Sequence, residues 1–247
     1  MILSAFILAA TCGPVNVALA GGVPTTACVY RYAGDVQLLE PGATSWLTLK
    51  SAVPLKEGTR LKTGPGASCE ILAVDGTFIN LYENSDAAIE TLKLGADTRD
   101  YGFNFIKGRI LWLAAKIKRK ASRFEIRTPS VVCAVRGTDF HITVSSAASD
   151  IGLFEGELDV KSNGNKTVLI AGSEALAGPG AAVRVRQRFS AVMEAEKRRY
   201  LKLKAHAESL RKDLAARDGF IDEYLGNRQK KLQDLESRRR EKLNKLK

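Results

Sequence analysis

Histidine is scarce in this 247-residue chain: His141 and His206 are the only two. Most general acid–base and zinc chemistry draws on histidine, and two residues far apart in sequence fall short of a catalytic set. No G-x-S-x-G, H-E-x-x-H or phosphate-loop lysine motif is present either, so hydrolysis and nucleotide chemistry lack a sequence basis. Cysteine is sparse as well. Cys12, Cys28, Cys69 and Cys133 form no C-x-x-C pair, which argues against a zinc site, and no cofactor is expected. Cys28 and Cys69 stay open as a disulfide in an oxidising compartment, whereas Cys133 sits in an apolar run and reads as a small buried hydrophobe. The apolar stretch Ile2–Ala10 is too short to span a bilayer, which takes about 20 apolar residues. Proline is missing from Gln187 to Lys247, and no aromatic residue interrupts the basic clusters Lys197–Arg199, Arg228–Lys231 and Arg238–Arg240. Without aromatic platforms to stack on bases, nucleic acid is not an expected partner.

What is present sorts into three parts. Residues 1–20 combine the apolar stretch with Ala18-Leu19-Ala20, the pattern of a secretory signal peptide, though without a basic n-region. Export to the periplasm or cell surface is therefore expected. From residue 29 to 186 the pattern has period two with glycine punctuation. Glu70–Val74 meets Thr77–Leu81 across Asp75-Gly76, a two-residue hairpin signal. Turn glycines recur every ten or so residues, which points to a mainly β domain of jelly-roll-like sandwich type. The basic run Lys116–Arg123 reads as a solvated hairpin loop or a charge-protected edge strand.

Residues 187–247 change character. They carry 18 Lys+Arg against 10 Asp+Glu, most of the chain's net +11. Leu203, Ala207, Leu210 and Leu214 are spaced 4-3-4, with Ile221 one heptad further. This coiled-coil-like seam predicts a long helical tail, weakened near Gly219 where it could fold into a hairpin. Its stripe needs cover from its own domain, a second copy or another protein.

The densest stretch of unusual residues is Arg127–Val144, RTPSVVCAVRGTDFHITV. Pro129 biases Thr128 toward extended backbone, as at the start of a strand. Val131, Val132 and Val135 predict a strand buried on both faces. Gly137 permits a bulge or tight bend, with Arg136 and Asp139 placed to pair across it and Thr138 free to bond local backbone. Beyond the bend, Phe140, Ile142 and Val144 share one face. Asp139, His141 and Thr143 share the other, read as polar and outward.

That stretch resembles the hallmark of the FecR domain family, a Thr-Pro step, a short apolar run and then V-R-G-T-[DE]-F. Ala134 stands where the family often has glycine. Flanking segments resemble the family in order: Ala33–Val36, Leu55–Gly64, Asp75–Thr77, Lys107–Arg109 and Phe154–Leu158. The resemblance runs over residues 29–177 and implies a jelly-roll-like β fold outside the cytoplasm. Its named members relay an outer-membrane signal to a sigma factor through a cytoplasmic segment and a membrane helix. Only 28 residues precede the first strand here, so the expectation is a stand-alone exported protein. Thr128, Pro129, Arg136, Gly137, Thr138, Asp139 and Phe140 are expected to be structural. Partner binding or self-association is expected at Leu203, Leu210, Leu214 and Ile221. Arg238, Arg239 and Arg240 add charge for a protein partner or for an anionic envelope polymer or lipid surface.

Overall fold

The computed structural model describes residues 25–94, 98–116, 121–135, 137–146 and 148–245. The leader-like segment, Cys12 and Arg136 lie outside them. The first nine strands are β1 (Ala27–Ala33), β2 (Val36–Leu39), β3 (Leu47–Thr48), β4 (Val53–Leu55), β5 (Arg60–Thr63), β6 (Ser68–Ala73), β7 (Phe78–Leu81), β8 (Asp86–Leu94) and β9 (Thr98–Leu113). Then come β10 (Ala121–Arg127), β11 (Val132–Val135), β12 (Asp139–Ser145), β13 (Ala148–Glu155), β14 (Glu157–Ser162), β15 (Asn165–Ile170), β16 (Glu174–Ala177) and β17 (Arg184–Arg186). Two helices follow, α1 (Ala191–Ala216) and α2 (Phe220–Asn244). Strands make up 46% of the structure, and the sheet is not closed.

The strands form two lobes that share β9. One lobe runs β4-β1-β6-β7-β9-β12-β13-β16-β17 and the other β3-β2-β5-β8-β9-β10-β11-β14-β15. The sharing requires β9 to bend, and the bend is at Gly108. Its φ is +99°, and a Cβ there would lie 2.4 Å from the Ser85 Cα. Only glycine combines that φ with that approach. The Ser85 hydroxyl braces the bend by bonding both the N–H and the carbonyl of Arg109, each at 3.1 Å.

The inward faces of both lobes meet in one core. Trp112 is fully buried, with Phe103 5.0 Å and Phe124 6.5 Å from it edge-on and Phe140 stacked at 6.2 Å. Phe140, Ile142 and Val144 all point into this core, as their alternation predicts. The coarse expectation of a mainly β domain followed by helix holds. Among the described residues all strand pairings are antiparallel except β9 with β10. That parallel pair departs from an all-antiparallel roll. The basic run Lys116–Arg123, expected as a hairpin loop or a charge-protected edge strand, ends inside β10, which is paired on both sides, with β9 and β11; residues 117–120 lie outside the described set.

Three local expectations need correction. Thr128-Pro129-Ser130-Val131 is the turn between β10 and β11, closed by Thr128 N–H donating to the Val131 carbonyl at 2.8 Å; it does not begin a strand. The following strand is buried on one face only. Val131, Cys133 and Val135 are covered while Val132 and Ala134 are half-buried, because the outer face of this lobe is a solvated lattice of ion pairs such as Arg127–Glu90 and Lys166–Asp159. Cys28 and Cys69 are both buried and free. Their side chains go to different layers, Cys69 into the core between lobes and Cys28 under the helices, so no disulfide joins them. Cys133 is a buried core thiol, as expected.

Helix α1 lies across the outer face of the β1–β17 lobe. Ser190 caps it, accepting from the Met193 N–H at 3.2 Å. Ser190 N–H in turn donates to Glu174 at 2.6 Å. Gly152 makes room for the helix, since a Cβ there would lie 2.2 Å from the Met193 sulfur. The helix ends at Ala216, and Gly219, at φ +71°, starts α2. The break near Gly219 is as the sequence predicts. The two helices splay around Tyr30, whose ring centroid lies 6.3 Å from that of His206 on α1 and 4.5 Å from that of Tyr224 on α2. No helix among the described residues is long and apolar enough to cross a membrane.

Candidate functional site: the polar layer under α1 and the free half of α2

The seam of the tail is covered by the chain's own domain. Leu210 and Ile221 are 3% and 2% exposed, and Leu203 and Leu214 pack half-buried on the same cluster with Leu72, Phe78 and Leu113. These four leucine and isoleucine positions therefore do not form an outward docking stripe. Burial of each such side chain contributes about 1.5–3 kcal/mol, enough to hold an amphipathic helix of modest intrinsic propensity against a sheet. The seam also extends further toward the N-terminus than its leucines show. Met193, Glu196 and Tyr200 occupy its earlier turns and are all buried. That 3-4 spacing was the available signal, and the polar residue types concealed it.

Asp139 and His141 are not on an outward face. They are 2% and 1% exposed because α1 covers them. The Tyr200 hydroxyl donates to Asp139 Oδ2 at 2.9 Å. Lys204 Nζ lies 3.9 Å from the same oxygen and 2.5 Å from Glu155 Oε2, and Lys116 also pairs with Glu155. Burial raises the Asp139 carboxyl above its ordinary value, opposed by the Tyr200 hydrogen bond. Glu155, held by two lysines, is lowered to about 2. Lys204 is raised by its bond to Glu155.

One turn away, Glu196 enters the layer. Arg109 Nη1 donates to Glu196 Oε1 at 3.1 Å, and Arg109 Nη2 to Glu83 at 3.1 Å. Arg199 also pairs with Glu196. His141 Nε2 lies 3.7 Å from Glu196 Oε2, and neither atom has a hydrogen-bond partner among the described residues. Burial, with Arg109 and Arg199 nearby, lowers His141 to about 3; at neutral pH it is an uncharged imidazole. The inner members of the layer, Asp139, His141 and Glu196, are covered by α1, and their partners Arg109, Glu155 and Lys204 reach out to its partly exposed edge. No group of three or more His, Cys, Asp or Glu among the described residues could hold a metal ion.

The VRGTDF motif anchors this layer from the sheet side. Gly137 has φ +64°, the tight bend its sequence suggests. The bulge falls on the partner strand, where Asp139 opposes Glu155 and Phe140 opposes Leu153. Phe154, left over, stacks on Tyr200 at 4.6 Å. Thr138 is fully buried, but its hydroxyl has no partner among the described residues, so it does not bond local backbone as expected. Its methyl instead packs on the turn at Gly156, where a Cβ would approach it to 2.7 Å. Thr128 ties its turn through a hydroxyl contact of 2.7 Å with Ser149, Pro129 is exposed, and Phe140 is in the core. Asp139 meets Tyr200 and Lys204; its expected partner Arg136 lies outside the described residues.

The model of the family described as FecR protein matches residues 59–159, from the start of β5 into β14, with the motif inside. Residues 59–159 thus match a FecR domain. Strands β1–β4, β15–β17 and both helices fall outside that match. Two crystal structures of one candidate anti-sigma factor from Parabacteroides distasonis ATCC 8503 are similar to this chain at 13% identity and a TM-score of 0.44. The alignment covers 52% of this chain and 59% of that protein, so the chain spans somewhat over half of its length. No curated protein matches the sequence.

Beyond the FecR domain and α1, the second helix is only half anchored. Phe220, Ile221 and Leu225 are buried, and the Tyr224 hydroxyl donates to the Tyr30 carbonyl. That carbonyl belongs to a β-bulge in β1, where the ladder skips from Val29 to Arg31, so the helix satisfies a group the sheet leaves unpaired. From residue 233 to 245 every residue is exposed, Arg238, Arg239 and Arg240 included. Leu235 and Leu243 are 64% and 53% exposed.

Proposed function

We propose that this chain is a non-catalytic, exported scaffold or binding module of the bacterial envelope, in which the FecR domain fixes α1 and presents the outer half of α2 to a protein partner or a second copy. The observation that carries the reading is the exposure of Leu235 and Leu243 on a helix whose first two turns are locked to the sheet. Exposed leucines on a rigidly based helix suit helix-in-groove or coiled-coil recognition. The non-catalytic part is supported by Asp139 and His141 being covered by α1. Export rests on residues 1–20, and fractionation of the tagged full chain tests it.

The docking test compares the full chain with a variant lacking residues 233–247. Because residues 233–245 are exposed, the deletion should leave thermal stability unchanged while capture of envelope partners by cross-linking, or self-association by sedimentation, is lost. A deletion variant that keeps its partners and its oligomeric state would refute this reading. A second reading, attachment to an anionic polymer or lipid surface through Arg238–Arg240, is supported by one observation. Among the described residues no cation from Arg228 onward forms an ion pair. Such retention would fall steeply with salt, whereas docking through leucines would not.

A further inference from the structure

Tyr30, Arg31 and Tyr32 of β1, residues Lys50–Ala52 before β4, and Arg228–Leu235 of α2 enclose a groove of about 320 Å³, at the low end of the range of about 300–1,000 Å³ common for ligand pockets. Its walls carry four cations, Arg31, Lys50, Arg228 and Lys231, and no carboxylate. Arg31 is neutralised from behind by Glu70, through bonds of 2.6 and 3.0 Å. The other three have no ion-pair partner among the described residues. This contrasts with the paired cations of the layer under α1 and of the other lobe. Three uncompensated charges around one cleft create a positive potential that an anion relieves.

One of them is also pre-positioned. Arg228 Nε donates to the Tyr224 hydroxyl at 3.0 Å, and its guanidinium lies 5.4 Å from that ring's centroid. Tyr224 is itself stacked on Tyr30 and bonded to the Tyr30 carbonyl. The planar fork of Arg228 is thus held with its terminal N–H groups free, the arrangement that grips a carboxylate in two places. Between the cations the groove floor carries the apolar side chains of Ala52, Leu232 and Leu235 beside the polar Ser51. A wholly hydrophilic polyanion would leave that floor without a partner, and a flat membrane surface would not enter a cleft between a helix and a sheet edge. A peptide with acidic residues beside an apolar one satisfies both the rim and the floor.

We infer that this groove is the site at which an acidic segment of a partner protein, carrying apolar anchors, binds. The inference rests on the docking role of α2 and names the chemistry of its partner. The test is fluorescence anisotropy on the full chain with a labelled twelve-residue peptide of alternating glutamate and leucine. Unlabelled inorganic polyphosphate and vesicles of phosphatidylglycerol with phosphatidylcholine serve as competitors, and a lysine-for-glutamate peptide as control. The acidic peptide should bind in a salt-sensitive way. The double variant Lys50→Glu, Lys231→Glu should weaken it by about tenfold or more through like-charge repulsion, while Lys161→Glu, exposed on β14 and outside the groove, should change it by less than about twofold. Unchanged binding in the double variant would overturn the proposal. So would binding of polyphosphate or vesicles that the peptide does not displace, which would make the groove a polymer or lipid site. If deletion of residues 233–247 abolishes partner capture but the double charge reversal does not, the docking role of α2 stands and the groove assignment falls. If charge reversal abolishes peptide binding while the deletion retains its partners, the groove stands without that role.

Discussion

The hydroxyl of Tyr200 donates to Oδ2 of Asp139 at 2.9 Å, and both residues are buried. Through this bond the acidic residue of the VRGTDF motif holds the first helix, and the motif is read as a clasp between sheet and helix. Tyr200→Phe keeps the ring stacked on Phe154 but leaves Asp139 with one fewer donor. It should cost about 1–3 kcal/mol, measured by urea unfolding. An unchanged midpoint would show that the bond contributes nothing.

His141 gives the fold an acid sensitivity with a defined sign. The folded protein protonates it only near pH 3, the unfolded chain near 6.5. The stability owed to the neutral imidazole is complete above pH 6.5 and is lost as pH falls from 6.5 toward 3, with a slope approaching about 1.4 kcal/mol per pH unit. Glu155, at about 2 when folded against roughly 4.3 unfolded, adds loss in the same direction at lower pH. Asp150 opposes both. Burial and the nearby Glu174 raise it to about 6, so its contribution is complete below its unfolded value and is lost as pH rises through 6. Comparing wild type with His141→Gln isolates the first effect. The stability difference between them should shift against wild type by roughly 2–3 kcal/mol between pH 7 and 4.5. A difference independent of pH would rule this out.

Two glycines should rank differently for a physical reason. Gly108→Ala forces a Cβ onto the Ser85 backbone at positive φ, so a loss of about 3 kcal/mol or more is expected. Gly137→Ala meets open space and pays only for its positive φ, about 1–2 kcal/mol. Thermal unfolding of both variants checks the order; a reversed order would refute the role given to the β9 bend.

The three described thiols are buried and free. Burial pushes Cys28 and Cys133 up to about 12 and raises Cys69 further. In a Cys12→Ser background no thiol should react with a maleimide in the native state, three should react after unfolding, and a reductant should leave the melting temperature unchanged. Fast native labelling, or a midpoint lowered by reductant, would contradict this.

Local pattern carried a good deal of this protein. Alternation placed Phe140, Ile142 and Val144 in the core and Gly219 broke the helix, because each is set by neighbours within a few residues; the hairpin at Asp75-Gly76 also formed, but Ala73 faces Thr77 across the three residues Val74–Gly76, one more than the sequence signal gave. The family hallmark was equally legible, being a contiguous string. What local pattern could not assign was the far side of the β12 strand. Asp139, His141 and Thr143 alternate like any solvent-facing set, yet a helix about 60 residues later closes over the first two. Tyr200, Glu196 and Arg109 became partners of the motif only through that packing. Covering the seam leucines with the chain's own sheet likewise left the basic outer half of α2 as the free surface. Periodicity shows that a face must be buried or solvated, but only the folded chain decides what lies against it.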